Sequence, residues 1–196
     1  MCSLIPTRAA PNHVGRPSLG GVKVVLPHLR QRDGVTCGPT VAVMAGALLD
    51  PGYRANLADP HWSDAEQGRV HAAANRVWPR ALGTTPLGMA KVVSVHSAAH
   101  HVRYGWRPAR TGGELADVER AVQAGWPVAM LIGNVIPRHW VLLVGCDGAA
   151  FDCYEPSSGE VRRVPAVEVA GVRIQVLGFP RAFAFVLPLD AFSLET

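Results

Sequence analysis

Residues 31 to 49 read Gln31-Arg32-Asp33-Gly34-Val35-Thr36-Cys37-Gly38-Pro39-Thr40-Val41-Ala42-Val43-Met44-Ala45-Gly46-Ala47-Leu48-Leu49, and this stretch decides the fold. A polar loop runs into an apolar segment of helical length, with a cysteine at the junction. Pro39 fits a first helical turn, because its missing N–H has no intrahelical partner there. Cys37 is therefore expected at a helix N-terminus, where open backbone N–H groups and the macrodipole favour an anion such as a thiolate. Gln31, six positions earlier, carries a side-chain amide able to donate to an oxyanion. A nucleophile of this kind needs a base and an orienting group, which the rest of the chain has to supply.

Working outward, the 196 residues suit one domain behind a short arm. Residues 1–20 are rich in Pro, Arg, Gly and Asn without periodicity and read as an N-terminal arm, leaving 21–190 as the domain. Hydrophobic residues make up 48% and charged residues 17%, a composition that supports a packed core. The net charge of +4 is spread over single arginines, with Lys23 and Lys91 the only lysines. No basic run is interleaved with aromatics, so nucleic acid is not an expected partner. No apolar stretch is long enough to span a bilayer, and residues 1–21 lack the apolar run of a Sec-type signal. A cytoplasmic location, or export by a route without such a signal, is expected. Cys2, Cys37, Cys146 and Cys153 form no CxxC pair, and a reduced compartment is the simpler reading. Cys146 and Cys153 flank Asp147-Gly148 and are read as unpaired small residues rather than a disulfide.

The pattern places a short strand at Val22–Leu26 and a helix from Cys37 to Leu49, stopped by Asp50-Pro51-Gly52. Ser63-Asp-Ala-Glu66 reads as a capping box opening a helix with Val70, Ala73, Ala74, Val77 and Trp78 inward and Pro79 at its end. Thr85 caps a helix that starts at Pro86 and runs to about Ala98. Another helix runs from Gly112 or Gly113 to Ala124, with Leu115, Val118 and Val122 inward. Strands are expected at 102–106, 127–132, 138–145, 150–154, 160–164 and 182–187, with Asp147-Gly148 as a hairpin turn. Helices first and strands afterwards indicate an α+β fold, a helical half packed on an antiparallel sheet. Trp106, Trp126 and Trp140 are expected in the core or the cleft walls.

His139 is the base candidate. It begins a strand that is apolar on both faces from Trp140 onward, and an imidazole in that position requires a partner. The hairpin returns through Phe151-Asp152-Cys153-Tyr154-Glu155, which carries Glu155 back to the His139 end. Asp152 is the reserve, but alternation puts it on the opposite face. His96, His100 and His101 form a spacing that metals use, yet no carboxylate or cysteine lies close in sequence to complete a site, and a helix-end cluster is the expected reading. No cofactor and no metal are expected. Arg32 and Asp33 read as solvated loop charges.

Together these residues resemble a known family. Gln31, five residues, then Cys37-Gly38 at a helix start resembles the active-site segment of papain-fold cysteine peptidases. His139-Trp140-Val-Leu-Leu-Val-Gly145 resembles their histidine strand, and Ala124-Gly-Trp-Pro-Val128 its approach. The C39-like branch, which includes bacteriocin-processing peptidases, is most similar. Its second strand commonly ends in Tyr-Asp-Pro-x-x-Gly, where this chain has Tyr154-Glu155-Pro156-Ser-Ser-Gly159. The resemblance implies Cys37 as nucleophile, His139 as general base and acid, Glu155 as orienting carboxylate and Gln31 as oxyanion donor beside the Cys37 N–H. It implies a peptide or protein as substrate, with acyl transfer, deamidation and non-catalytic binding as alternatives on the same fold. The departure is Glu for Asp, whose extra methylene has to be absorbed locally.

Overall fold

The computed structural model describes residues 26–76, 79, 83–109, 114–171 and 174–189. The expected arm, the strand residues 22–25, Val77, Trp78 and residues 112–113 lie outside the described residues. Leu26, the last residue of that expected strand, belongs to no strand.

The helical half comes first. Helix α1 (Cys37–Leu49) is buried along its whole length, which is why its sequence is apolar on every face. Helices α3 (Pro60–Ala74) and α4 (Pro86–Ser97) pack against it on one side, and the sheet closes the other. Thr85 caps α4 by accepting from the Gly88 N–H at 3.1 Å, with Pro86 in the first turn.

Two helix starts differ from expectation for one reason. Asp50-Pro51 does stop α1, but Asp50 also caps the short helix α2 (Pro51–Ala55) by accepting from the Tyr53 N–H. Likewise Asp59 caps α3 and Pro60 opens it, so Ser63 and Glu66 lie inside the helix and are buried. An Asp-Pro pair outcompetes a capping box farther along, because it supplies both the cap and a preset φ. Glu66 instead accepts hydrogen bonds from Tyr53 Oη at 2.7 Å and Arg69 Nε at 2.6 Å.

The sheet half contains β1 (Tyr104–Pro108), β2 (Val128–Gly133), β3 (Pro137–Cys146), β4 (Ala150–Glu155), β5 (Glu160–Pro165) and β6 (Arg181–Pro188). Helix α5 (Glu114–Gln123) lies between β1 and β2 in sequence and buries Val118 and Val122. The short helix α6 (Ala166–Ala170) follows β5. The six strands run in the order β1-β6-β2-β3-β4-β5, and every pairing is antiparallel. Strands β2 and β3 are covered on both faces over their apolar runs, whereas β1 lies at an edge, which leaves Trp106 exposed rather than in the core. The fold is α+β, with an N-terminal helical half packed on a C-terminal antiparallel sheet. Among the described residues, no helix is long and apolar enough to cross a membrane.

Candidate active site

Helix α1 presents Cys37 as its first residue. The preceding Thr36 does not cap it. The Thr36 hydroxyl turns back to Asp33, lying 3.0 Å from the Asp33 N and 3.1 Å from its carbonyl oxygen. The positive end of the helix therefore faces the Cys37 region without a neutralising side chain of its own. Gly38 is required by packing. A Cβ there would fall 2.6 Å from the Thr84 side chain and 3.1 Å from Trp140 Cδ1.

The loop before Cys37 is held by a residue that the sequence reading passed over. Gln67 of α3 is fully buried, and its amide donates to the Arg30 carbonyl at 3.0 Å. Gln67 Oε1 accepts from the Arg32 N–H at 3.1 Å and lies 2.8 Å from Thr40 Oγ1. One side chain thus pins both flanks of Gln31 and the first turn of α1.

The sheet supplies the remaining groups. The β3–β4 register pairs Leu142 with Tyr154 and is shifted by a bulge after Leu143. It carries His139 and Glu155 to one end of the hairpin, where His139 Nε2 donates to Glu155 Oε1 at 2.8 Å. Both side chains are nearly buried. The other Glu155 contacts come from the following turn: Ser157 N–H donates to Oε1 and Ser158 N–H to Oε2, each at 2.9 Å. These backbone donors accommodate the longer acid. Asp152, on the other face, lies 3.6 Å from the Arg163 guanidinium and takes no part in this cluster.

Electrostatics follow from these contacts. Burial opposes the charged form of His139, but its interactions with Cys37 and Glu155 outweigh it, and its pKa is raised to about 9. Burial also opposes the Glu155 charge, yet the bonds from His139, Ser157 and Ser158 win and hold the carboxyl far below the usual carboxylate range. With Nε2 turned to Glu155, Nδ1 is the ring nitrogen left for the Cys37 thiol. Phe179 stacks on the imidazole at 5.6 Å between ring centres and 19° between planes. Sequence reading missed Phe179 because it lies in a segment without a periodic pattern.

Gln31 stands beside this cluster. Its backbone N–H donates to the Pro156 carbonyl at 2.8 Å, and its Oε1 accepts from Ser157 Oγ at 3.3 Å. One of its two amide protons goes to the Asp33 carbonyl at 3.0 Å, which leaves the second for another acceptor. Gly159 makes this join possible. It closes the turn at φ +74°, and the site of its missing Cβ lies 2.8 Å from the Leu29 carbonyl.

The other candidates lie elsewhere. His96 packs on Tyr53 with ring centres 4.0 Å apart and faces Asp50, while His100 Nε2 lies 2.9 Å from the Leu49 carbonyl oxygen. Among the described residues, no group of three or more His, Cys, Asp or Glu is placed to hold a metal ion. Cys146 pairs in register with Phe151, and Cys153 with Leu143. Both thiols are free, and burial pushes their pKa values up, which makes them weak nucleophiles near neutral pH. Arg32 and Asp33 are exposed.

Beside Cys37 a cavity of about 450 Å³ opens between the two halves, walled by Thr84 and Pro86 on the helical side and Leu131 and Trp140 on the sheet side. Trp140 ties the halves together, its Nε1 donating to the Thr84 carbonyl at 2.9 Å.

No family model matches the chain, and no curated protein sequence matches it. Solved structures do. A C39-like peptidase from Bacillus anthracis superposes with a TM-score of 0.51 at 10% identity, covering 83% of this chain and 94% of the other. The peptidase domain of Streptococcus ComA, a bifunctional ABC transporter of a quorum-sensing pathway, gives 0.46 at 18% identity, over 84% of this chain and 99% of that one. A double-glycine-motif protease from an AMS/PCAT transporter, solved with its leader peptide, gives 0.46 at 18% identity, over 83% and 91%. The chain has the C39-like peptidase fold.

Proposed function

We propose that this chain is a cysteine peptidase-like hydrolase that cleaves a peptide or amide bond through a thioester on Cys37. The observation that carries the proposal is the hydrogen bond of His139 Nε2 to Glu155 Oε1 at 2.8 Å, which leaves the other ring nitrogen for Cys37 at the start of α1. A base held beside a thiol at a helix N-terminus is the arrangement that nucleophilic cysteine chemistry requires.

The chemistry then runs in two halves. Cys37 Sγ forms a bond to the carbonyl carbon, and the carbonyl π electrons move onto oxygen. The Cys37 N–H and the remaining Gln31 amide proton receive that charge; one such donor contributes about 3 kcal/mol in acyl-transfer sites. Collapse breaks the C–N bond while His139 Nδ1 delivers its proton to the leaving nitrogen. Water next gives a proton to Nδ1 as its oxygen bonds to the acyl carbon, and the second collapse expels the Cys37 thiolate and frees the acid. Glu155 keeps Nε2–H engaged throughout, so that Nδ1 is the nitrogen that gives and takes the proton. The substrate is a peptide or protein, and the chain's own residues supply every group without a cofactor.

Alkylation of the native protein by iodoacetamide at pH 6 tests this reading. Cys37 is expected to react at least tenfold faster than Cys146 or Cys153, and the advantage disappears in His139→Ala. Alkylation of Cys37 at the rate of an ordinary thiol would assign the fold to binding rather than catalysis.

A further inference from the structure

Ser157 touches both halves of the molecule through separate groups. Its backbone N–H donates to Glu155 Oε1 at 2.9 Å, its carbonyl accepts from Arg30 Nε at 3.1 Å, and its hydroxyl donates to Gln31 Oε1 at 3.3 Å. Ser157 lies on the exposed turn between β4 and β5, on the sheet half, whereas Gln31 belongs to the loop that leads into α1. A backbone tie runs beside these contacts, from the Gln31 N–H to the Pro156 carbonyl at 2.8 Å. The Gln31 backbone is therefore docked on the turn without the hydroxyl, and the hydroxyl acts on the Gln31 side chain.

A glutamine side chain ends in a planar amide, with an acceptor at one corner and two donors at the other. In Gln31 one donor is taken by the Asp33 carbonyl at 3.0 Å, a contact within the loop itself. A single bond of that kind is a pivot. The amide turns about it, and the second N–H sweeps through a range of directions. The Ser157 hydroxyl holds the acceptor corner, and anchors at both corners fix the amide plane. The second anchor also stands on the sheet half, which carries His139, so the aim of the donor is tied to the position of the base. An oxyanion donor contributes when it is aimed beforehand at the place where charge develops.

Resting on the peptidase reading above, we infer that Ser157 is a positioning residue, whose hydroxyl holds Gln31 Oε1 and thereby aims the remaining Gln31 N–H at the oxyanion. The same side chain helps to keep the Glu155 carboxylate charged, so its loss reaches the chemistry by two routes. They separate by reaction type. Attack of the Cys37 thiolate on an acyl carbonyl places charge on oxygen and calls on the donors. In iodoacetamide the thiolate bonds to the methylene carbon and expels iodide, and no oxyanion forms. A defect at Glu155 and His139 slows both reactions, whereas a misaimed Gln31 slows acylation alone.

The test uses the full chain and Ser157→Ala, which removes the hydroxyl and leaves both backbone contacts of the residue in place. Acylation of Cys37 by an N-acetyl leucyl thioester is expected to slow about three- to tenfold, the worth of one neutral hydrogen bond. Alkylation by iodoacetamide at pH 6 is expected to keep its wild-type rate. The double variant Gln31→Ala/Ser157→Ala should acylate no more slowly than Gln31→Ala, because the hydroxyl then has no amide to hold. Unchanged acylation in Ser157→Ala, an equal fall in acylation and alkylation, or a further loss in the double variant would overturn the positioning role while leaving the peptidase reading in place. Absence of acylation in the wild-type chain, on a Cys37 that alkylates rapidly, would overturn the peptidase reading and the positioning role with it.

Discussion

His139 Nε2 and Glu155 Oε1 stand 2.8 Å apart, and the same Glu155 oxygen accepts the Ser157 N–H at 2.9 Å. The carboxylate is thus fixed by the turn that follows it as well as by the imidazole. In the proposed mechanism, this is what lets glutamate stand where the resemblance has aspartate. The longer side chain reaches back over its own turn and is held there by two backbone donors.

The first prediction concerns this geometry. Glu155→Asp withdraws the carboxylate by one methylene, so it cannot keep both the turn and His139. Turnover is expected to fall about tenfold or more, and Glu155→Gln to fall further. Both losses should stay smaller than that of His139→Ala, which removes a general acid–base worth about 10² to 10⁴ in rate. Steady-state kinetics on the three variants gives the order; wild-type turnover in Glu155→Gln would move the orienting role to another group.

A second prediction is the pH dependence. His139 has its folded pKa raised to about 9. The stability it contributes is complete below the ordinary imidazole value of 6.5 and is lost as pH rises through about 9. Glu155 is lowered, so its contribution is complete above the ordinary 4.5 and is lost as pH falls toward its depressed folded value. Activity should lose its imidazolium-dependent limb near pH 9, and Glu155→Gln should move that limb down toward the ordinary range. Rates across pH 5 to 10 for both proteins measure the displacement.

Much of this site is legible in the sequence because its parts sit at junctions with distinctive chemistry. Cys37 before Gly-Pro, Thr85 before Pro86, and Asp147-Gly148 each mark an element end, and α1 begins and ends at the residues expected. The hairpin then places Glu155 by counting. What escapes is what only three dimensions decide. Gln67 reads as one more polar helix residue, yet the arrangement of α3 against the 30–36 loop buries it. Ser63-Asp-Ala-Glu66 has the pattern of a helix start, but the Asp59-Pro60 pair upstream takes that role. Trp106 reads as core and proves exposed, since strand order, not composition, puts β1 at the edge.

Gln67 supplies the third prediction. Gln67→Leu keeps the volume but strands the Arg30 carbonyl and the Arg32 N–H in a partly buried setting. Each orphaned group costs about 1–3 kcal/mol. Denaturant titration should show that loss, and iodoacetamide alkylation of Cys37 should slow as the loop loosens. Unchanged stability would mean that the loop is held from elsewhere.

Gly38 supplies the fourth. Gly38→Ala places a methyl 2.6 Å from Thr84 and 3.1 Å from Trp140, both fixed by the Trp140–Thr84 bond. Overpacking of this kind costs about 1–3 kcal/mol. Thermal melts should record it, and turnover should fall through displacement of Cys37.

The proposed mechanism passes through a covalent acyl intermediate on Cys37, which can be trapped. The protein is mixed with an N-acetyl leucyl thioester substrate, quenched in acid within the first turnover and mapped by peptide mass spectrometry. The acyl mass is expected on the Cys37 peptide, removed by hydroxylamine, absent in Cys37→Ala and greatly reduced in His139→Ala. Acylation of Cys146 or Cys153 at equal level, or product formation by Cys37→Ala at the wild-type rate, would contradict it.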